Sequence, residues 1–137
     1  MLNTKAVKMT TTEYKIVRDK VPEQFEKNHG KAADTRNFYG HTEELFFSRR
    51  KVREEVEELL TANTEEDLFE EAADVLESVI SFIELETGSK PDKIYRELML
   101  TAAEKASRLG TMSRRTLMRI TDEDKRYYYN NIKGKLD

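Results

Sequence analysis

Two pairs of carboxylates, Glu55 with Glu58 and Glu71 with Asp74, are the residues of this chain whose types and spacing could do chemistry. Side chains three apart on a helix leave it on the same side, so each pair can hold one divalent cation or share two. Oxygen ligands with no Cys or His nearby suit hard ions, Mg2+ or Mn2+, whose octahedral shell is completed by water and by substrate phosphate. Such a cage points to phosphoryl chemistry, in which the cation lowers the pKa of bound water, neutralises polyphosphate charge and orients in-line attack. Without cations, four like charges at close quarters repel and some of their pKa values rise. The same spacings also occur on solvated faces of acidic helices. Glu54-Glu55-Val56-Glu57-Glu58 belongs to a chain with 27 acidic residues, so spacing alone leaves both readings open.

The elements that must carry these residues can be read from caps and periodicity. Thr42, followed by Glu43 and Glu44, predicts a helix start, with acids in the first turn where the dipole favours them, and that helix should run to about Ala62. Thr64 with Asp67 three residues on resembles a capping arrangement for a second long helix that reaches Glu86 or Thr87 and stops at Gly88. A third helix should open at Ser89-Lys90-Pro91-Asp92 and end near Arg108-Leu109, with Gly110 as its cap. Before these, Tyr14 to Asn28 reads as an extended start leading into a brief helix that ends at His29-Gly30. Ser113 to Ile120 is expected to add a short element. Residues 1–13 read as a loose tail, 14–120 as one helical domain, and 121–137 as a tail or short helix.

At about 100° per residue, Leu45, Val52, Val56 and Leu59 fall on one line of the first long helix. Glu55 and Glu58 flank that line. Leu68, Ala72, Val75, Val79 and Phe82 form the matching line of the second helix, widened by Leu76, Ile80 and Ile83, with Glu71 and Asp74 on the opposite edge. The offset has the same rotational sense in both helices, so antiparallel packing brings all four acids to one side of the seam. The connection at Asn63-Thr64 is too short for a parallel return. Glu54, Glu57, Glu70 and Glu77 point away from the stripes and are assigned to the solvated face, and Ser78 to the rim of the site.

Composition bounds what such a site can belong to. A chain of 137 residues accommodates one domain with a core, and 37% charged residues with 5 Gly and 2 Pro are the balance of a mostly helical protein with solvated outer faces. The net charge of -3 offers no global attraction for nucleic acid or an anionic membrane surface, and neither partner is expected. The chain contains no Cys, which excludes disulfides, thiolate metal sites and cysteine nucleophiles. No apolar run approaches the roughly 20 residues of a membrane span, and Met1 to Thr12 lacks a secretory apolar core, so the expectation is a cytoplasmic protein.

Glu55-x-x-Glu58, twelve intervening residues, then Glu71-x-x-Asp74 resembles the signature of the all-α nucleoside triphosphate pyrophosphohydrolases, the MazG-like group that includes phosphoribosyl-ATP pyrophosphohydrolase and dimeric dUTPases. Lys51 to Leu59 and Glu70 to Leu76 look like that family's two metal-binding helices. Tyr14-Lys15-Ile16-Val17-Arg18-Asp19-Lys20-Val21-Pro22-Glu23 is similar to an opening segment of one branch of the group, and Ala103 to Arg108 resembles the branch's third long helix. The branch usually continues that helix with Arg-Gly-Gly-Phe, where this chain has Arg108-Leu109-Gly110-Thr111.

The resemblance implies an antiparallel helical bundle completed by oligomerisation, with Glu55, Glu58, Glu71 and Asp74 binding Mg2+. It implies hydrolysis of a nucleotide between its α and β phosphates, releasing pyrophosphate and a monophosphate, with Glu55 as general base. Lys105 and Arg108, three apart on one face, are phosphate partners on this view, and Arg18 and Lys20 are further candidates. All four are equally the kind of residue that sits on a surface. Apolar faces too broad for one protomer, with Phe46 and Phe47 off the main stripe, add to the expectation of a homodimer or homotetramer. The alternatives are phosphoribosyl-ATP hydrolysis in histidine synthesis and, from a different class, a non-catalytic helical interaction protein. Phe38 and Tyr39 could stack on a base or cover a core edge. His29, His41, Tyr127 to Tyr129, Arg114, Arg115 and Arg119 carry no comparable signal.

Overall fold

The computed structural model describes residues 12–133, and the expected tail over 1–13 lies almost wholly outside them. Five α-helices follow one another: α1 Val21–His29, α2 His41–Leu60, α3 Glu65–Thr87, α4 Pro91–Leu109 and α5 Asp122–Tyr127, the last running into a π-helical turn over Tyr128–Ile132. Among the described residues there is no strand, so the fold is all-α as expected.

Local chemistry sets the boundaries. Pro22 lies in the first turn of α1, and Gly30 ends that helix at φ 77° with its N–H donated to the Glu26 carbonyl at 2.9 Å. The start of α2 is one residue earlier than the Thr42 reading; no side chain caps it at Gly40, and Glu43 in the first turn reaches back so that its Oε1 accepts the Tyr39 N–H at 2.9 Å. Arg36 fixes that carboxylate by donating to both of its oxygens, at 2.8 and 3.0 Å. Thr64 caps α3 by accepting the Asp67 N–H at 3.1 Å, and Gly88 closes it at φ 75°, both as the sequence predicts. Gly110, at φ 82°, donates its N–H to Ala106 at 2.8 Å beyond the end of α4.

The hairpin of α2 and α3 carries the four acids. Only Thr61 to Thr64 join two helices of 20 and 23 residues, which forces them to return side by side. Their cross-contacts run in opposite senses: Glu55 meets Asp74, whereas Arg49, earlier in α2, lies 5.8 Å from the ring of Phe82, later in α3. The pair is therefore antiparallel.

The hairpin covers only part of its apolar stripes. Ile80 and Ile94 are buried, and Leu45, Val52, Leu59, Val75, Val79, Phe82 and Ile83 are half-buried. Val56, Leu60, Leu68 and Leu76, which belong to the same stripes by angle, remain exposed. Two helices give each stripe one neighbour, and a stripe wider than about 100° needs more than one to leave water.

The chain divides into two compact units within α4, between Leu98 and Met99. In the first, Ile94 of α4 is buried. In the second, Arg108 pairs with Glu104 at 3.2 Å and donates to the Ile132 carbonyl at 3.4 Å, while Thr121 caps α5 by accepting the Asp124 N–H at 3.3 Å. The short element expected over Ser113 to Ile120 is not formed. That stretch holds a turn with Arg115 at φ 48°, a left-handed conformation that interrupts any helix.

Candidate metal centre

Glu55, Glu71 and Asp74 each place one carboxylate oxygen within 4.8 Å of the other two. Oxygens on one octahedral Mg2+ stand about 2.9 Å apart when adjacent and about 4.1 Å when opposite, so a small contraction gives three ligands to one ion. The convergence follows from the helical offsets: each acid borders the seam, on the same side of an antiparallel pair.

Burial separates this cluster from a solvated acidic face. Glu55 is 4% exposed, and its Oε2 and the Oε2 of Glu71 are buried without a hydrogen-bond partner. A buried carboxylate oxygen without a donor costs free energy unless a cation satisfies it. Glu55 Oε1 does have a partner in Lys51 Nζ, one turn back on α2 at 2.7 Å. Burial pulls the Lys51 ammonium down, yet its hydrogen bonds to Glu55 and Glu54 outweigh that and raise its pKa above the ordinary lysine value.

Glu58 stands at the edge of the three. It is exposed, and partial desolvation followed by the neighbouring carboxylates of Glu55 and Glu71 pushes its carboxyl above the usual glutamate range. Repulsion among close carboxylates is thus present, as their clustering requires.

A strap of residues 13–18 lies across both helices. Glu13 pairs with Arg50 at 3.5 Å and Lys15 with Glu54 at 3.0 Å on α2, and Arg18 reaches Asp74 on α3, its Nε and one terminal nitrogen donating to the same Oδ1 at 3.1 and 2.6 Å. Exposed pairs of this kind contribute at most about 1 kcal/mol each. Glu54, assigned to the solvated face from its angle, is instead half-buried between Lys15 and Lys51 at 3.0 and 3.1 Å. Desolvation raises its carboxyl, but the two ammonium groups win and hold it below the ordinary value. Ser78 is buried at 7% exposure rather than at the rim, and donates its Oγ to the Val75 carbonyl at 2.8 Å, which removes it from the site. Glu57, Glu70 and Glu77 are exposed, as expected.

Of the four basic residues singled out, Arg18 is the one that touches a carboxylate of the cluster. Lys20 is exposed, immediately precedes α1 and makes no ion pair among the described residues. Lys105 and Arg108 are exposed and belong to the second unit, where Arg108 is engaged with Glu104. Lys51 was not singled out from the sequence, although its spacing of four from Glu55, one helical turn, is the signal that marks the pair.

A cleft of about 620 Å3 opens along the strap, walled by Tyr14, Val17, Phe25, Phe38 and Phe47. The Arg36 guanidinium on its lining lies 4.0 Å from the Tyr39 ring and 5.2 Å from that of Tyr14. His29 packs on Phe25 with ring centroids 5.0 Å apart. Among the described residues no helix is long and apolar enough to cross a membrane. No family model matches this chain, and neither the curated proteins nor the solved structures give a match to it.

Proposed function

We infer that this protein is a nucleotide pyrophosphohydrolase that uses Mg2+, or Mn2+ in its place, held by Glu55, Glu71 and Asp74. The observation that carries this reading is the buried Glu55, whose unpartnered Oε2 lies in a cluster that spans 4.8 Å. The resemblance of the two acidic pairs to the MazG-like signature supplies the reaction. When bound, the cation neutralises charge on the polyphosphate and makes water a better nucleophile. Water oxygen bonds to one phosphorus of the α–β anhydride, the bridging P–O bond breaks, and the products are a monophosphate, pyrophosphate and one proton.

The chain's own residues divide the remaining work. Lys51 pins Glu55 in place, so that carboxylate acts as a ligand of fixed orientation. Glu58, exposed at the edge of the cluster and with a raised pKa, is the residue to take the proton from water, whereas Glu55 is buried and engaged by Lys51. The aromatic walls of the cleft along the strap suit a planar base, and its volume is of the size of small-molecule sites. The exposed Val56, Leu60, Leu68 and Leu76 supply the faces of a homo-oligomer.

A pyrophosphate-release screen with Mg2+ over the nucleoside triphosphates, dUTP and phosphoribosyl-ATP tests the reading. Turnover of at least one substrate, lost in Glu71→Gln and Asp74→Asn, is expected; release unaffected by those changes overturns it. A second reading, a non-catalytic helical interaction protein, draws on the same uncovered apolar residues. It expects no divalent-metal binding that these substitutions abolish.

A further inference from the structure

Two cations compensate the acidic cluster, and they are held in different ways. Lys51 comes from the same helix as Glu55, and the pair is shielded, with side chains 19% and 6% exposed. Arg18 comes from the irregular strap, and its pair with Asp74 is open to water, at 53% and 36%. Lys51 is therefore a fixed counter-charge, while Arg18 is attached by an exposed contact that solvent readily replaces.

The geometry of the Arg18 contact adds a constraint. Both of its N–H donors fall on Asp74 Oδ1, which fills the two acceptor positions of that oxygen. Oδ1 is thereby committed to Arg18, and a divalent cation on either oxygen of Asp74 brings its charge close to the guanidinium, which it repels. The rest of the strap need not move when Arg18 lets go, since Lys15 and Glu13 keep it anchored to Glu54 and Arg50 on α2. A released guanidinium then stands at the border of a cation site, with its planar fork of donors matched to phosphate oxygens.

We propose that Arg18 is an exchangeable counter-ion: it holds Asp74 until a divalent cation displaces it, and then binds a phosphate of the incoming polyphosphate. The inference rests on the metal-centre reading and adds an order to it, cation first and anion second. Arg18 is a brake on the first ligand and a grip on the second.

The test is calorimetric titration of Mn2+ into the wild-type chain and the Arg18→Gln, Arg18→Met and Arg18→Lys variants, followed by titration of inorganic tripolyphosphate at saturating Mn2+. Loss of the positive charge in the first two variants is expected to tighten Mn2+ binding by about three- to tenfold. The same variants are expected to weaken tripolyphosphate by about tenfold. Arg18→Lys, which keeps the charge, should stay near wild type for Mn2+. A purely structural role would weaken both ligands together or leave both unchanged, and either result overturns the proposal, as does tightened Mn2+ with unaltered tripolyphosphate. Wild-type protein that binds no Mn2+, or binds it equally well as Glu55→Gln, overturns the metal-centre reading itself and this proposal with it. The two neutral substitutions must agree, which separates loss of charge from damage to the fold.

Discussion

Lys51 Nζ lies 2.7 Å from Glu55 Oε1, and this one contact compensates one side of a carboxylate whose other oxygen is buried and unpartnered. The ammonium lowers the cost of burying Glu55 and leaves Oε2 without a partner. A counter-charge placed one helical turn away can do this because the i,i+4 spacing fixes its approach.

Replacing Lys51 by Met should therefore destabilise the metal-free protein by about 1–3 kcal/mol, less than for a fully buried pair because Lys51 retains some exposure. Urea unfolding measures this, and saturating Mn2+ should recover much of the loss. A neutral Lys51→Met would mean that the Lys51 contact does not offset the burial of Glu55.

Mn2+ at a hundredfold excess over its Kd should raise the stability of the wild-type chain by about 2.7 kcal/mol. Asp74→Asn should remove most of that increment. Thermal unfolding with and without EDTA reads both, and an Asp74→Asn protein stabilised as much as wild type would place the cation elsewhere.

The raised Glu58 pKa gives a signed pH dependence. Folding raises the pKa above the usual value of roughly 4.3, so the folded state binds the proton more tightly. The stabilisation is complete below that unfolded value and is lost as pH rises through the folded one. Metal-free stability should fall across this window while Mn2+ affinity rises, because the cation competes with the proton. Glu58→Gln should flatten both curves, as measured by denaturant midpoints and calorimetry over pH 4–7.

Thr64→Ala should cost about 1 kcal/mol, through loss of the cap on the Asp67 N–H. Chevron or equilibrium denaturation measures it. Mn2+ affinity should change little, because the cap lies at the hairpin turn and Glu71 and Asp74 about two to three turns further along α3.

The hairpin was legible in the sequence because its signals are local. Thr64, Gly88, Pro91 and Gly110 act within one turn of themselves, and angular counting needed only the 3.6-residue period to bring Glu55, Glu71 and Asp74 together. What escaped depends on segments distant in sequence. Glu54 is exposed by angle alone and becomes half-buried because Lys15, 39 residues earlier, lies over it. Ser78 is buried by the packing of its surroundings, which periodicity does not describe. Val56, Leu60, Leu68 and Leu76 fall on the apolar stripes and stay exposed, because angular position says which way a side chain points and not whether anything lies there. Ser113 to Ile120 has weak periodicity, and the left-handed Arg115 carries no sequence signal of the kind a glycine would give.

The strap of residues 13–18 has a practical consequence for anyone shortening this chain. A start at Glu13 keeps the three ion pairs described for the strap, whereas a start beyond Arg18 removes the partners of Arg50, Glu54 and Asp74 in one cut. Such a shortened protein would keep the carboxylates of Glu55, Glu71 and Asp74 and lose the one counter-charge that reaches them from outside the hairpin.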